Sequence, residues 1–280
     1  MTERDHGYAR YKLDHCRCYT CGYANATYYE ARERAIMYGT WQPFVDVDPV
    51  REHLLRLRAC GVGLRRIAEA ASVDRKNLQA ILNGRSDRGT GPQKKIRPQI
   101  ATAILAVEPT LELIGGRTPI DASGTRRRLQ ALVAIGWSQS KLAARIGCTQ
   151  GTLTRLMVEP RAFAAIVRQV RAIYDELWDQ PPPEEGWRDK IAASRARNHA
   201  QAMGWHPPLA WDDDLLDTPD DELEAAIERL VERMDDDDLA RAHGAYYRNG
   251  DRTPLVVAAK KQYTRLTKER QRASRQGVTA

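Results

Sequence analysis

Apolar residues along the chain recur at three- and four-residue spacing, Ala, Leu, Arg and Glu dominate, and period-two runs of β-branched residues are nearly absent. That pattern belongs to amphipathic helices, and it predicts an all-α protein. Gly39, Pro43 and Pro49 end a first helix over about 24–38, and Asp48-Pro49 opens a second, because proline suits the first helical position. The stretch 84–98, GRSDRGTGPQKKIRP, reads as a basic glycine-containing loop and 115–124 as a linker. Three consecutive prolines, 181–183, stop any helix. Beyond them the pattern predicts a helix over about 187–203, an irregular segment over 204–219, two or three helices over 220–272, and fraying over 274–280.

The chain also repeats itself. Residues 57–82 align without a gap on residues 132–157, at a fixed offset of 75. Leu57/Leu132, Ala59/Ala134, Gly61/Gly136, Ala68/Ala143 and Leu78/Leu153 are identical, and Ile67/Leu142, Val73/Cys148 and Ile81/Leu156 are matched apolar pairs. Matched glycines and apolar positions over such a length point to one structural unit used twice. Each copy reads as helix, turn, helix. The small Ala68 or Ala143 lets the second helix approach the first, and the apolar pairs fill the joint.

The second copy resembles the helix-turn-helix of lambdoid phage repressors and Cro proteins, in Ser138-Gln139-Ser140-Lys141-Leu142-Ala143 and Gly147-Cys148-Thr149-Gln150-Gly151-Thr152-Leu153. The resemblance implies that Gln139 contacts phosphate, and that Thr149, Gln150, Thr152, Thr154 and Arg155 stand at or near the major groove. In the first copy the corresponding helix begins Asp74-Arg75-Lys76-Asn77-Leu78-Gln79, with Leu64 in place of the glutamine. Arg bonds guanine bidentately and Asn or Gln bonds adenine, so Arg75, Asn77 and Gln79 are suited to read bases, with Lys76 beside them. In the loop that follows, Arg85, Arg88, Lys94 and Lys95 either lie along phosphates or enter a minor groove, or else form a solvated loop. The chain over residues 6–215 also resembles tandem helix-turn-helix regulators of high-GC bacteria and their phages that carry an N-terminal His/Cys motif. The resembling stretches are Trp41-Gln-Pro-Phe-Val-Asp, Gly136-Trp-Ser-Gln-Ser, Tyr174-Asp-Glu-Leu-Trp and Pro208-Leu-Ala-Trp-Asp-Asp-Asp.

Three of the five cysteines, Cys16, Cys18 and Cys21, crowd into six positions close to His6 and His15. Four soft or borderline donors make a tetrahedral zinc site, and the preferred set is His6, Cys16, Cys18 and Cys21, because His15 adjoins Cys16 and would crowd the ion. Four protein ligands leave no open position, so such a zinc is structural. Cys60 and Cys148 occupy apolar positions of the repeat and read as core. Seven tyrosines fall within the first forty residues and serve either as core of this small module or as stacking platforms, core being the favoured reading.

Charge adds a partner class. The net charge is +7, from 44 Lys+Arg against 37 Asp+Glu, but it is uneven: +6 over residues 1–120, +4 over 121–183, −11 over 184–238 and +8 over 239–280. Basic blocks around both copies and a basic tail fit a polyanion binder with a separate acidic module. No apolar run reaches the length of a membrane span, no secretory signal is visible, and phosphate-loop, nucleophile-elbow and HExxH motifs are absent. These readings place the protein in the cytoplasm, at the nucleoid, as a binder of double-stranded DNA with no enzymatic activity and no membrane partner. The expected order is a His/Cys zinc-type module with a helix (1–46), a first helix-turn-helix domain (47–116), a second (121–183), a helix and irregular linker (184–219), and a C-terminal helical region with a basic tail (220–280). The expected function is a sequence-specific regulator, a phage-type repressor. The other reading is a terminase-like or architectural DNA-packaging component, with homo-oligomerisation through the C-terminal helices.

Overall fold

The computed structural model describes residues 4–277 and is mostly helical, as the apolar periodicity predicts. The chain divides into two compact bodies, with the division between Leu113 and Ile114. The first contains α1 (Tyr8–Leu13), α2 (Tyr19–Met37), β1 (Val45–Asp46), α3 (Asp48–Ala59), α4 (Leu64–Ala70), α5 (Arg75–Asn83), β2 (Lys95–Ile96) and α6 (Pro98–Leu105). The second contains β3 (Pro119–Asp121), α7 (Ser123–Ala134), α8 (Gln139–Ile146), α9 (Gln150–Leu156), β4 (Arg161–Phe163), α10 (Ala164–Leu177) and α11 (Trp187–Ala202). It ends with α12 (Asp213–Leu216), α13 (Leu223–Glu232), α14 (Asp236–Arg248) and α15 (Pro254–Gly277).

The duplication is longer than the ungapped alignment. Each helix from α3 to α5 starts 75 residues before its counterpart among α7 to α9: Asp48 and Ser123, Leu64 and Gln139, Arg75 and Gln150. After α5 and α9 the spacing falls to 66, and the strands still pair in the same antiparallel register. Val45 faces Ile96 as Ile120 faces Ala162, and Asp46 faces Lys95 as Asp121 faces Arg161. The hydrogen bonds repeat as well. Asp46 Oδ1 accepts from the Asp48 N–H at 3.2 Å, and Asp121 Oδ1 from the Ser123 N–H at 3.1 Å, which turns each chain from strand into helix. Arg51 donates to the Gln93 carbonyl at 2.6 Å, and Arg126 to the Glu159 carbonyl at 3.4 Å.

The change in spacing therefore isolates one insertion of nine residues in the first copy, 84–92, GRSDRGTGP. It closes on itself. Arg85 and Thr90 exchange backbone hydrogen bonds at 2.8 and 3.0 Å around a short 3-10 turn, Ser86–Arg88. Gly84 has φ +77°, and any Cβ there would run into the Thr90 carbonyl. The stretch expected as a basic glycine-containing loop thus closes into a small hairpin that leads to β2.

In each copy the helix pair closes over a buried joint. Ile67, Leu78 and Ile81 are fully buried in the first copy, as are Leu142 and Leu153 in the second, with Ala68 and Ala143 beside them. Burying each large apolar side chain contributes about 1.5–3 kcal/mol. Between the two helices the backbone turns through positive φ at the same position, 53° at Ser72 and 75° at Gly147. The second helices then start on side-chain caps, Asp74 to the Lys76 N–H at 2.8 Å and Thr149 to the Thr152 N–H at 3.2 Å.

Several expectations need correction. Two short strand pairs accompany the helices, because strands of two or three residues are too short to show alternation. Part of the expected linker 115–124 is strand β3, and Gly124 lies buried in α7. The helix expected over 24–38 is α2 and starts earlier, at Tyr19, since Cys18 is its N-cap, and the short helix α1 before it was not expected. The helix α15 runs on through Gly277 instead of fraying from 274; residues 278–280 lie outside the described residues. Cys60 is exposed where α3 ends. The aspartate runs 212–214 and 235–238, by contrast, need no correction: each stands where aspartates cap a helix, Asp212 accepting from the Asp214 N–H and Asp235 from the Asp238 N–H.

The acidic stretch is not a module apart. Residues 184–219 supply Ala196, Ala200 and Leu216 to the same core as Leu129, Leu142 and Leu153, with Trp205 and Trp211 packed against it. Acidic side chains of the stretch after α12 neutralise the arginine triplet of α7. Arg127, 4% exposed, donates to the Leu215 carbonyl at 3.1 Å and to Asp220 at 2.7 Å. Arg128, 7% exposed, bonds Asp217 at 3.0 Å, and Arg171 reaches the same carboxylate. Burial pushes the Asp217 carboxyl up, but the hydrogen bond and charge of Arg128, with Arg171, outweigh it and hold the group below its usual value.

A depressed folded-state value stabilises above the unfolded carboxylate range near pH ~3.9 and is lost as pH falls through the folded value. Asp217→Asn is therefore predicted to cost about 1–2 kcal/mol at neutral pH, discounted because Asp217 is half exposed while Arg128 is buried. Urea melts across pH should show wild type and variant converging in strong acid. A constant difference down to the lowest pH would show that this carboxylate is not what holds α7.

Candidate functional site

The N-terminal segment has almost no core of its own. Helix α1 buries no residue and α2 buries only Cys21, so side-chain packing alone does not hold these helices together. The tyrosines contribute partly. The Tyr8 and Tyr28 rings lie 4.3 Å apart, tilted by 30°, and Lys12 lies 5.0 Å over the Tyr29 ring, whereas Tyr19, Tyr23 and Tyr38 are exposed and are not core.

What converges here is the predicted His/Cys set. His6 Nδ1 lies 3.8 Å from Cys16 Sγ, 3.1 Å from Cys18 Sγ and 3.4 Å from Cys21 Sγ, and the four donor atoms all fall within 4.8 Å of one another. Nitrogen and sulfur ligands on one tetrahedral zinc sit about 3.5–3.8 Å apart, so the set is compatible with that ion. His15 stays outside the group, with φ 53°. The fold explains the convergence. Cys18 is the N-cap of α2 and Cys21 lies in its first turn, which puts two thiols at the positive end of the helix. A hydrogen bond from the Cys21 backbone N–H lowers the Cys18 thiol to about 7, with smaller contributions from the neighbouring thiols and His6. Burial pushes the Cys21 thiol up, and the Gly7 N–H, 3.3 Å from its sulfur, partly offsets this.

The second group of predicted residues lies on α5 and α9 and their surroundings. In the first copy Arg75, Lys76 and Gln79 are exposed on one face of α5, and Asn77 is half-buried. In the second copy Gln150, Thr152, Thr154 and Arg155 are exposed on α9. Gln139, at the start of α8, is half-buried and accepts from the Thr154 hydroxyl at 3.4 Å, so the helices of the pair meet through polar groups too. The Thr149 hydroxyl serves the cap, and Arg155 pairs with Glu159 at 3.2 Å. Arg75 and Gln150 occupy equivalent positions, as do Gln79 and Thr154, so the skeleton presents the same face with different side chains.

Beyond α5, Arg88 stands exposed in the hairpin and Arg85 is half-buried at its base, while Lys94 and Lys95 are exposed where the chain enters β2. Sequence reasoning missed that residues 84–92 are an insertion, although the fall in spacing between the copies was available in the order of apolar positions around Ile96 and Ala162. It also missed the exposed ends of both faces, Asn83 and Val158.

Comparison with family models, with curated proteins and with solved structures finds no match to this chain. Among the described residues no helix is long and apolar enough to cross a membrane.

If the four donors hold an ion, purified protein is predicted to carry about one equivalent of metal, and chelation should release α1 and the start of α2 while α3 to α6 stay folded. Elemental analysis and amide exchange measure both. Metal-free protein with a fully protected N-terminal segment, or Cys21→Ser with unchanged metal content, would remove the site.

Proposed function

We propose that the chain is a sequence-specific double-stranded DNA-binding protein and acts as a transcriptional regulator of the phage-repressor type. In this reading each copy of the repeat is a helix-turn-helix, with α5 and α9 as the helices that enter the major groove. The observation that carries it is the repetition itself: one skeleton, reproduced down to strand register and capping, presents an exposed polar face at equivalent positions twice. A face kept only for solubility needs no such skeleton behind it.

The two faces differ in charge. Arg75 and Lys76 give the first copy a cationic start, suited to guanine and to phosphate, while Gln150 and Gly151 make the second nearly neutral. The hairpin and Lys94 and Lys95 add sequence-independent contacts to phosphate beside the first reading helix only. The His6, Cys16, Cys18 and Cys21 cluster is assigned to a structural zinc, which replaces the apolar core that α1 and α2 lack.

The experiment is binding to selected DNA across a salt series. Arg75→Ala or Gln150→Ala should each cost about 1–3 kcal/mol on the selected site and relax preference at one or two base pairs. Lys94→Ala or Lys95→Ala should weaken binding to every sequence alike and lower the salt slope by about one per lost phosphate contact. Excising 84–92 should leave the first body folded, because the second copy shows the chain passing directly from Val158 to Glu159, and should lower affinity without altering base preference. Loop lysines that set sequence preference, with inert helix residues, would mean that the wrong element has been placed in the groove.

A further inference from the structure

Helices α13 and α15 flank a groove of about 570 Å³ in the C-terminal region. Its floor is apolar: Ile227 and Val231 are 8% and 6% exposed, and Val257 and Ala258 are half-buried. Its two rims carry opposite charge. Along α13, Glu224, Glu228 and Glu232 recur every fourth residue and stand exposed on one edge. Along α15, Lys261 and Arg265 stand exposed on the other, and Lys268 continues their line at helical spacing.

Among the described residues, none of these six charges takes part in an ion pair. The rest of α15 is not so free. Arg270, on another face of the helix, bonds both carboxylate oxygens of Asp236 at 2.8 and 2.7 Å, and Ala259 is fully buried. Two unpaired rows of opposite sign therefore run along one apolar strip, turned away from the packed side of the helix.

We infer that this groove is the interface between two copies of the chain, related by a two-fold axis that sets the acidic rim of each against the basic rim of the other. The occupant has to carry both signs in two rows beside an apolar strip. Nucleic acid would meet the glutamate row with repulsion, and a purely apolar segment would desolvate both rows without pairing them. A second copy of this surface carries the required pattern, and a two-fold axis along the groove makes the pairing of acidic with basic rim occur twice in the interface. This inference is independent of the DNA-binding reading.

Light scattering of the full chain, without DNA, tests it. At about 100 μM, roughly a hundredfold above a micromolar Kd, and in low salt, the wild type should have the mass of two chains. Raising ionic strength from about 50 to about 500 mM should move it toward one, because the rims are solvent-exposed. E224K/E228K/E232K and K261E/R265E/K268E should each give one chain with unchanged helicity, since all six positions are exposed. An equimolar mixture of the two should recover the mass of two chains as a heterodimer.

A wild type that stays at one chain throughout would overturn the inference without recourse to any variant. So would a triple variant that remains dimeric, or a mixture that fails to associate. Loss of DNA affinity in K261E/R265E/K268E with no change in mass would give the basic rim to nucleic acid instead, and would equally overturn it.

Discussion

Everything that α5 and α9 present to solvent is aimed by one joint, the crossing of each of these helices with the helix before it. Ala68 and Ala143 sit buried there, beside Ile67 and Leu78 in one copy and Leu142 and Leu153 in the other. A side chain larger by a few methylenes would force the pair apart and cost about 1–3 kcal/mol, and the exposed face would turn with the helix. The turn between the helices adds a backbone requirement. Residue 72 or 147 adopts positive φ, which Gly147 accepts freely and Ser72 adopts at a cost.

Around the joint, short polar contacts fix where each copy begins and ends. Asp46 and Asp121 start the first helices of the repeats, and Arg51 and Arg126 tie those helices to the chain entering the second strand. With the frame pinned at both ends, the copies differ where the frame does not depend on sequence. The first carries the hairpin 84–92 and a cationic face on α5. The second uses the acidic stretch as an internal counter-charge for Arg127 and Arg128, and so buries basic residues that the charge profile alone assigns to a ligand.

The sequence made legible what local spacing encodes. Ala68 and Ala143, the matched glycines and the apolar pairs marked the helix pairs, and the crowding of Cys16, Cys18 and Cys21 marked the candidate metal cluster, including the choice of His6 over His15. It concealed what depends on distant partners. Strands of two or three residues carry no readable alternation, so the pairing of Val45 with Ile96 was invisible. The nine extra residues broke the ungapped alignment just where the second strand follows. The fate of Arg127 was set by Asp220, 93 residues away, a relation that no window of composition contains.

The proposal assigns DNA reading to both copies of the frame, each through its own helix. Hydroxyl-radical footprinting on selected DNA tests this most directly. Two protected segments are expected, with Arg75→Ala together with Gln79→Ala erasing one, and Gln150→Ala together with Thr154→Ala erasing the other. Protection that disappears as a whole with either pair, or that survives both, would contradict it.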